Sequence, residues 1–529
     1  MESKKLSRRS FLRMSALAAT GMAMAACAQP AAPTQPPQAA TATPTEVQPT
    51  ETTATKAPTS KTIGCWMGPW FQPTEWTTRS AEHPTVVNST RILAERFREQ
   101  HYSYVDFNWI DATGYTDSTE DHVAWLSARI ASGDAPDLIW SQHNVPVQNG
   151  WALPIEEYLD QPNPFAPGYA RWRDIFWPSL MRSLVWEDGH EYCAPVTAIW
   201  PNLEVGLVYN KDFFAQHGLK PPKTWTEEKE VAKALKEMGN GLSPWPPEQS
   251  SGNCWPLALQ ILPPMMQKLC AQMDLNGDKF INIEEALPAY KKGLIGPNTP
   301  IYRRAWAEMH ELATYWVDGF LTADLDLLYR QGGIGLQYRG SWEFSELGND
   351  PTIQFEQGFL PPPMPNSQDI PATDNLPGAY DPDGYTAGDG SVPGDLLTAV
   401  QGPDFVILKD SVKLHNNLEE TLAWWQFITT PENDAFIVNE NQQRIPAAKD
   451  ASLGPIYQEI AQFKLPLYEY SIAWWGQGLF WDAAHFTNWR KIFVDWITGQ
   501  IDEDTFFRRQ QQEFEEGAAR YEESLKKSS

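Results

Sequence analysis

Aromatic side chains are concentrated near the C-terminal end of the chain. Residues 468–489 hold two tyrosines, two phenylalanines and four tryptophans, and Gly476 and Gly478 interrupt any regular helix there. An irregular aromatic segment in water is unfavourable unless it meets an apolar partner. The apolar face of a sugar ring is such a partner, although packing inside the protein is the alternative for most of these side chains. The segment therefore suggests stacking onto a carbohydrate.

Other aromatic and amide side chains stand near the ends of predicted strands. In α/β proteins, ligands bind beyond the carboxyl ends of the strands. The candidate ligand contacts are Trp66, Trp140, Gln142, Trp200, Trp342, Trp475 and Phe486. For Trp200 and Trp342 the alternative is a role in core packing. No catalytic residue is assigned.

A stretch of acidic and amide residues has the spacing of an EF-hand calcium loop. Its candidate ligands are Asp274, Asn276, Asp278, the Phe280 carbonyl, Asn282 and Glu285. They occupy loop positions one, three, five, seven, nine and twelve. Lys279 stands where the loop normally has glycine, which costs on the order of 1 kcal/mol of backbone strain. A plain acidic turn is the alternative, but the spacing favours a structural Ca²⁺ ion at residues 274–285.

The element that would position Trp140 is a helix–turn–strand step over residues 126–140. Leu126 and Ile130 share an apolar stripe with Val123, which predicts a helix. Gly133 suits the left-handed residue that ends a helix, and Pro136 prevents the helix from resuming. Residues 138–140 are then an apolar run typical of a buried strand.

Alternating strands and helices predict an α/β fold. The N-terminal part reads as a strand at residues 62–67, a helix at 91–100 and a strand at 104–109. No glycine-rich loop follows the first strand, which argues against a nucleotide site. The final two helices, at residues 488–498 and 502–527, are expected to face solvent because they carry many charges.

Several segments, in their order along the chain, resemble the family 1 extracellular solute-binding proteins of ABC transporters, which are maltose-binding-protein-like sugar receptors. The segments are Ala131–Trp140, Gly150–Leu159, Tyr192–Pro195, Glu204–Phe214, Pro221–Glu227, Ile334–Leu347 and Arg444–Lys449. Between the third and fourth of these the chain would first cross from one lobe to the other, near residues 197–203. Ser341 is expected to cap a helix, with Trp342 beside it stacking on the sugar.

The resemblance implies a two-lobed periplasmic-binding-protein fold of type II, with three hinge crossings between the lobes. Residues 62–200 and 365–445 would form lobe I, and residues 201–364 and 446–529 would form lobe II, which contains the calcium loop. The lobes would close around the ligand by hinge bending, and the closed form would be recognised by the membrane subunits of an ABC transporter. We expect a monomer.

The N-terminal residues predict export and membrane attachment. Residues 7–13 contain the twin arginines of an export signal, followed by an apolar run that is too short to span a membrane. Residues 24–27, Met-Ala-Ala-Cys, resemble a lipobox, so residues 1–26 would be a signal peptide and Cys27 would be acylated and held in the lipid bilayer. Residues 27–61 are rich in Ala, Pro and Thr and would form a disordered tether. Cleavage without lipidation is the alternative.

Composition narrows the function further. The net charge of −26 argues against nucleic acid and against broad contact with anionic lipid. Beyond Cys27 there are four cysteines, at positions 65, 193, 254 and 270, which outside the cytoplasm could form one or two disulfides. Their spacing does not suit zinc.

Two other functions remain open. An exported carbohydrate-active enzyme would also be acidic and rich in tryptophan, with two carboxylates across its cleft. No common hydrolase motif is present, however. An ABC receptor for a non-sugar solute, such as a peptide, is the other alternative, against which the aromatic content argues.

Overall fold

The computed structural model describes most of the chain beyond its N-terminal segment. The described residues are 59–80, 83, 86–111, 119–141, 144–186, 188–200, 203, 205–244, 261–277, 279–366, 368–370, 404–442, 444–463, 470–472 and 483–528. By its internal contacts the chain divides into Met1–Ala57 and Pro58–Ser529. The predicted signal peptide, Cys27 and nearly all of the predicted tether lie outside the described residues.

Two four-stranded sheets organise the described part of the chain. The strands are β1 Lys61–Trp66, β2 Val105–Trp109, β3 Leu138–Trp140, β4 Thr197–Ala198, β5 Val205–Asn210, β6 Leu242–Ser243, β7 Phe280–Ile281, β8 Leu336–Gly340, β9 Gln357–Leu360, β10 Phe405–Ile407, β11 Ile445–Pro446 and β12 Ser471–Ile472. The first sheet has the order β10-β3-β1-β2, in which only β10 is antiparallel to its neighbour. The second has the order β6-β8-β5-β9, in which only β6 and β8 are parallel. In addition, β4 pairs with β11 and β7 pairs with β12.

Helices separate most of these strands, so the predicted α/β class is confirmed. The helices are α1 Gly68–Phe71, α2 Ser89–Gln100, α3 Thr119–Ser132, α4 Val145–Gln148, α5 Glu156–Leu159, α6 Pro178–Arg182, α7 Lys211–His217, α8 Trp225–Glu237, α9 Leu262–Met273, α10 Ile283–Lys291, α11 Pro300–Ala313, α12 Leu325–Arg330, α13 Phe344–Gly348, α14 Lys409–His415, α15 Leu418–Ile428, α16 Pro431–Asn441, α17 Pro455–Ala461, α18 Ala483–Ile497 and α19 Glu503–Ser528. The predicted lobe boundaries stay a prediction.

The helix–turn–strand step that leads to Trp140 is confirmed. Helix α3 ends at Ser132, and Gly133 follows with a φ of +79°. The Gly133 N–H donates to the carbonyl of Arg129 at 2.9 Å, which closes the last turn of the helix. Strand β3 then pairs with β1 on one side and with β10 on the other, so it is central in its sheet.

Local sequence patterns also explain strand β5 of the second sheet and the start of helix α8. All six residues of β5 are buried, as expected for a strand covered on both faces. Helix α8 begins with a capping box, in which the Thr224 hydroxyl accepts the Glu227 N–H at 3.2 Å. The Glu227 carboxylate in turn accepts the Thr224 N–H at 3.3 Å, so two otherwise unpaired donors are satisfied.

The last two helices differ from the sequence-based expectation. They were expected to face solvent, but one side of the pair is part of the core that covers the second sheet. Its buried members include Trp489, Phe493, Trp496, Phe506, Phe507 and Phe514. The charges occupy the other side of each helix. A count of charges alone therefore misjudged helices that are amphipathic.

The described cysteines are not paired. Cys65, Cys193 and Cys270 carry free thiols and are buried, so none of them forms the disulfides considered from the sequence. Burial raises the pKa of the Cys193 thiol, with the nearby Asp404 carboxylate adding to the effect. Cys254 lies outside the described residues. No described helix combines the length and apolar character that crossing a membrane requires.

Candidate ligand cleft

A pair of short strands joins the segments that carry the two sheets. Strands β4 and β11 are antiparallel, with Ala198 opposite Ile445. The Asp404 carboxylate accepts the Thr197 N–H at 3.1 Å and the Thr197 hydroxyl at 2.6 Å. The Asp404 carbonyl also accepts the Ser141 N–H at 2.7 Å. We call the β4–β11 pair the crossing. Through Asp404 it is hydrogen-bonded to the end of β3, where Trp140 lies.

Trp140 belongs to an aromatic group at the carboxyl end of the first sheet. Its ring packs edge-to-face against Trp70 at 5.2 Å and against Trp66 at 5.8 Å between centroids. Trp70 and Trp140 are partly exposed, whereas Trp66 is 4% exposed and also contacts Trp125. In this conformation Trp66 packs behind Trp140, whereas Trp70, Trp125 and Trp140 are partly exposed.

Gly68 fixes the position of Trp140. Its φ is +69°, and a Cβ added there would lie 2.7 Å from the Trp140 ring. Only glycine combines this left-handed backbone with so close an approach of an indole ring.

Replacing Gly68 by alanine should therefore displace Trp140 and lower the free energy of unfolding by about 1–3 kcal/mol. Urea unfolding followed by tryptophan fluorescence measures the change. The matched control is Gly150→Ala, because Gly150 has a φ of +66° but no atom within 4 Å of the added Cβ. Equal losses in the two variants would show that backbone strain, not contact with Trp140, is the cause.

The second sheet brings Trp342 to the same region. Strand β8 ends at Gly340, and Ser341–Glu343 form a 3₁₀ turn that leads into the five-residue helix α13. The expectation that Ser341 caps a helix is wrong. Gly340 is the capping residue, because the Glu343 carboxylate accepts its N–H at 3.0 Å. Trp342 is partly exposed.

Arg444 connects the aromatic residues of the two sheets. Its Nη1 donates to the Ser341 hydroxyl at 2.8 Å, and its Cζ lies 5.0 Å from the Trp342 ring centroid. The same Cζ lies 5.9 Å from the Trp70 ring centroid. Both distances are within the range of a cation–π contact. Trp70 and Trp342 therefore meet at one guanidinium, although they follow strands of different sheets.

Trp200 lies on the crossing just after β4. It is 3% exposed, and its ring meets Tyr457 edge-to-face at 5.8 Å. Its indole N–H has no hydrogen-bond partner among the described residues. Burial raises the pKa of Tyr457 to about 12, so the phenol stays neutral. Trp200 is thus packed at the hinge in this conformation.

Three predicted ligand contacts lie outside the described residues, and the sequence did not indicate two residues of the candidate site. Gln142 and Trp475 lie outside the described residues, as does the side chain of Phe486. Sequence reasoning did not single out Trp70 or Arg444. A usable signal for Trp70 was its place four residues after Trp66, beyond a strand end. For Arg444, nothing in the local sequence points to the two rings that it contacts.

A buried carboxyl group lies next to the crossing. Asp434 is fully buried, and one of its oxygens accepts the Ala448 N–H at 2.7 Å. Its other oxygen has no hydrogen-bond partner among the described residues. Burial holds the pKa of Asp434 well above its usual value, and the charge of Asp404 adds to the effect.

This raised pKa makes stability depend on pH. The folded state favours the protonated acid, so stability should fall as the pH rises from the unfolded-state pKa through the folded-state pKa. Asp434→Asn removes this titration, so the stability of the variant relative to the native protein should increase as the pH rises. The full increase is about 1.4 kcal/mol for each pH unit by which folding raises the pKa of Asp434. Urea unfolding at pH 5 and pH 8 tests this. Asp410→Asn, at an exposed position, is the control. A constant difference between native and Asp434→Asn proteins would contradict the prediction.

The segment predicted to bind calcium turns around the Asp274 carboxylate. The Asp274 carboxylate accepts the N–H groups of Gly277 at 2.7 Å and Lys279 at 3.2 Å. Lys279 has a φ of +65°, so the strain expected where the loop normally has glycine is present. Strand β7, at loop positions seven and eight, pairs with β12.

The end of the loop is held by its last ligand candidates. Asn282 accepts the Glu285 N–H at 3.0 Å, and Glu285 accepts the Leu275 N–H at 2.7 Å. Asn276 is exposed, while Asp278 and the Phe280 side chain lie outside the described residues. Among the described residues, no group of three or more His, Cys, Asp or Glu side chains could hold a metal. The calcium site stays a prediction, because Asp274, Asn282 and Glu285 accept backbone N–H groups in this structure.

Part of the chain is similar to a known protein family. Residues 91–263 match the family model of the bacterial extracellular solute-binding proteins. An uncharacterized ABC transporter extracellular-binding protein of Pyrococcus horikoshii is 37% identical over 81 residues, which are 15% of this chain and 18% of that protein. The aligned segment thus spans less than a fifth of that relative.

Solved structures share the fold at low sequence identity. A probable secreted solute-binding lipoprotein of Streptomyces coelicolor has a TM-score of 0.53 and 16% identity, covering 86% of this chain and 98% of that one. Ligand-free RafE of Streptococcus pneumoniae has a TM-score of 0.51 and 14% identity, covering 88% and 100%. A chitin oligosaccharide binding protein has a TM-score of 0.51 and 15% identity, covering 87% and 100%. The predicted two-lobed fold is confirmed, and residues 91–263 are similar to the bacterial extracellular solute-binding proteins.

Proposed function

We propose that this protein is the substrate-binding lipoprotein of an ABC importer and captures an oligosaccharide between its two sheets. The observation that supports this most is the meeting of Trp70 and Trp342 at Arg444, because these rings follow strands of different sheets. Trp140 adds a third partly exposed ring. One solved structure with this fold is a chitin oligosaccharide binding protein, and another is the GacH receptor of Streptomyces glaucescens, which was solved in complex with acarbose.

Binding would rest on stacking and hydrogen bonding. Burying one sugar face of about 100 Å² on a ring contributes about 2.5 kcal/mol. Polar side chains around the rings would bond the hydroxyl groups and select the sugar. The proposal includes no turnover, since the family consists of binding proteins.

Thermal unfolding of residues 59–529 against a panel of sugars tests the function. A ligand at a hundred times its dissociation constant should add about 2.7 kcal/mol of stability. A shift with an oligosaccharide that is recovered intact supports the proposal. Cleavage of that sugar would favour an enzyme, and a shift with peptides alone would favour a receptor for another solute.

The proposed cellular context is outside the cytoplasmic membrane. The chain would pass through the twin-arginine route, lose residues 1–26 and carry lipid on Cys27, with a tether that lets a monomer reach the transporter's membrane subunits. Labelling with a fatty acid tests the anchor. Native protein should become labelled and remain with membranes, whereas Cys27→Ser should be unlabelled. Equal labelling of both would contradict lipidation at Cys27.

We also propose a structural Ca²⁺ ion at residues 274–285. Asp274, Asn276, Asp278, the Phe280 carbonyl, Asn282 and Glu285 would hold it, and the ion would neutralise the carboxylates and tie α9 to α10. The turn of the loop around Asp274 supports this. Calcium at a hundred times its dissociation constant should raise stability by about 2.7 kcal/mol in the native protein but not in Asp274→Ala. An equal response in both would exclude this loop as the site.

A further inference from the structure

Arg444 occupies an unusual place for a charged side chain. It is 5% exposed and precedes β11 on the crossing, yet it contacts residues that follow strands of both sheets. The Ser341 hydroxyl accepts its Nη1–H at 2.8 Å, and the rings of Trp342 and Trp70 lie 5.0 and 5.9 Å from its Cζ.

The backbone around Arg444 is fastened to the same tryptophan. Asn441, the last residue of α16, donates its side-chain N–H to the Trp70 carbonyl at 2.9 Å. Gln442 then turns the chain with a φ of +46°. The end of α16 therefore holds the Trp70 backbone, while Arg444, two residues beyond the turn, approaches the Trp70 ring. Little freedom remains in the position of that ring relative to the crossing.

Only arginine supplies this combination of contacts. Its guanidinium is planar, so it can donate a hydrogen bond in its plane and offer its faces to aromatic rings. A lysine ammonium is a point charge without a plane, and methionine keeps the length but neither donates nor carries charge. Lysine therefore keeps the charge without the plane, and methionine removes both the charge and the donor.

We propose that Arg444 is a positioning residue that fixes Trp70 and Trp342 relative to each other and thereby selects for oligosaccharides long enough to reach both rings. This inference rests on the proposed function. A ligand that touches both rings gains from each only if their spacing is set beforehand, because ordering them on binding reduces affinity. A ligand on one ring gains nothing from the spacing. Arg444 thus acts through the rings, not by contact with sugar.

The test measures binding across a series of sugar lengths. Arg444→Met, Arg444→Lys and Ser341→Ala are titrated calorimetrically with the oligosaccharide found in the panel and with its shorter members. For Arg444→Met, affinity for the long sugar should fall at least tenfold and affinity for the shortest by less than threefold. Arg444→Lys should bind the long sugar as weakly as Arg444→Met does. Ser341→Ala should show a smaller loss of affinity, again mainly for the long sugar. Arg98→Met, which removes an exposed arginine paired with Asp106, should change neither.

An equal loss for every length, or no loss, would overturn the proposal. Full rescue by lysine would also overturn it, because charge alone would then suffice. Thermal unfolding of each variant separates a positioning role from failure to fold, and Ser341→Ala and Arg444→Lys keep the test open if Arg444→Met is unstable.

A spectroscopic readout separates this inference from the proposed function. Arg444→Met should change the near-ultraviolet circular dichroism of the native protein but not that of a Trp70→Phe, Trp342→Phe double variant. The same change in both backgrounds would overturn the positioning role. Failure of every sugar to bind the native protein, with this signature intact, would instead remove the carbohydrate function and the selection by length while leaving the ring contacts established.

Discussion

Replacing Asp137 by alanine should lower the free energy of unfolding by about 3–5 kcal/mol. The carboxylate is fully buried and joins strand β1, helix α14 and the residue that precedes helix α15. One oxygen accepts the Gly64 N–H at 2.7 Å and the Asn417 side-chain N–H at 2.8 Å. The other accepts the Ser411 hydroxyl at 3.0 Å and meets His415 Nδ1 at 2.7 Å. Removing the carboxylate would take the acceptor from the buried Gly64 N–H and one hydrogen-bond partner each from Asn417, Ser411 and His415.

Urea unfolding followed by tryptophan fluorescence measures the loss. Asp134→Ala is the matched control, because Asp134 is exposed and its contact with Arg129 at 3.2 Å is a surface ion pair. The control should change stability by less than about 1 kcal/mol. A similar small loss in Asp137→Ala would mean that water replaces the carboxylate as hydrogen-bond partner.

Asp137 also shows what the sequence can and cannot reveal. It stands in the stretch from which the helix–turn–strand step was predicted correctly, since glycine, proline and the apolar pattern act over a few residues. Its hydrogen-bond partners Ser411 and His415 lie more than 270 positions away. No periodicity within either segment indicates that they meet. Local chemistry predicted the elements, and the tertiary contacts between them had to come from the structure.

The same limit explains the partial prediction of the site. Trp140 was identified because it ends a predicted strand, which is a local property, and Trp342 because its segment resembles the solute-binding proteins. Trp70 and Arg444 are brought together by tertiary contacts between helix α1 and the crossing. The wrong role for Ser341 arose because a hydroxyl before a helix normally caps it, whereas here a distant arginine donates to that hydroxyl.

Two local features, the strained backbone of Lys279 and the amphipathic final helices, were predicted with different success. The left-handed backbone of Lys279 followed from the loop spacing, because position six of such a loop turns sharply whatever residue occupies it. The final helices were misjudged because their many charges hide an apolar stripe that only a helical projection reveals. Both are local properties, so a more careful reading of residues 483–528 would have corrected the second.

Trp342→Ala should remove most of the sugar affinity while the protein stays folded. Loss of one stacked face of about 100 Å² corresponds to about 2.5 kcal/mol. The dissociation constant should therefore rise about 70-fold, since about 1.4 kcal/mol is a factor of ten. Trp342 is partly exposed, so its removal costs less stability than loss of a fully buried tryptophan such as Trp424. Calorimetric titration with the sugar from the panel measures the change, and thermal unfolding reports on the fold.

The control variant Trp342→Phe separates stacking from packing. Phenylalanine keeps an aromatic face toward a sugar and toward the Arg444 guanidinium, so most of the affinity should remain. A loss as large as that of alanine would point to the indole N–H or the larger ring area as the essential feature. Unchanged affinity in Trp342→Ala would remove Trp342 from the site. Binding would then depend on Trp70 and Trp140, and the ligand would lie against the first sheet alone.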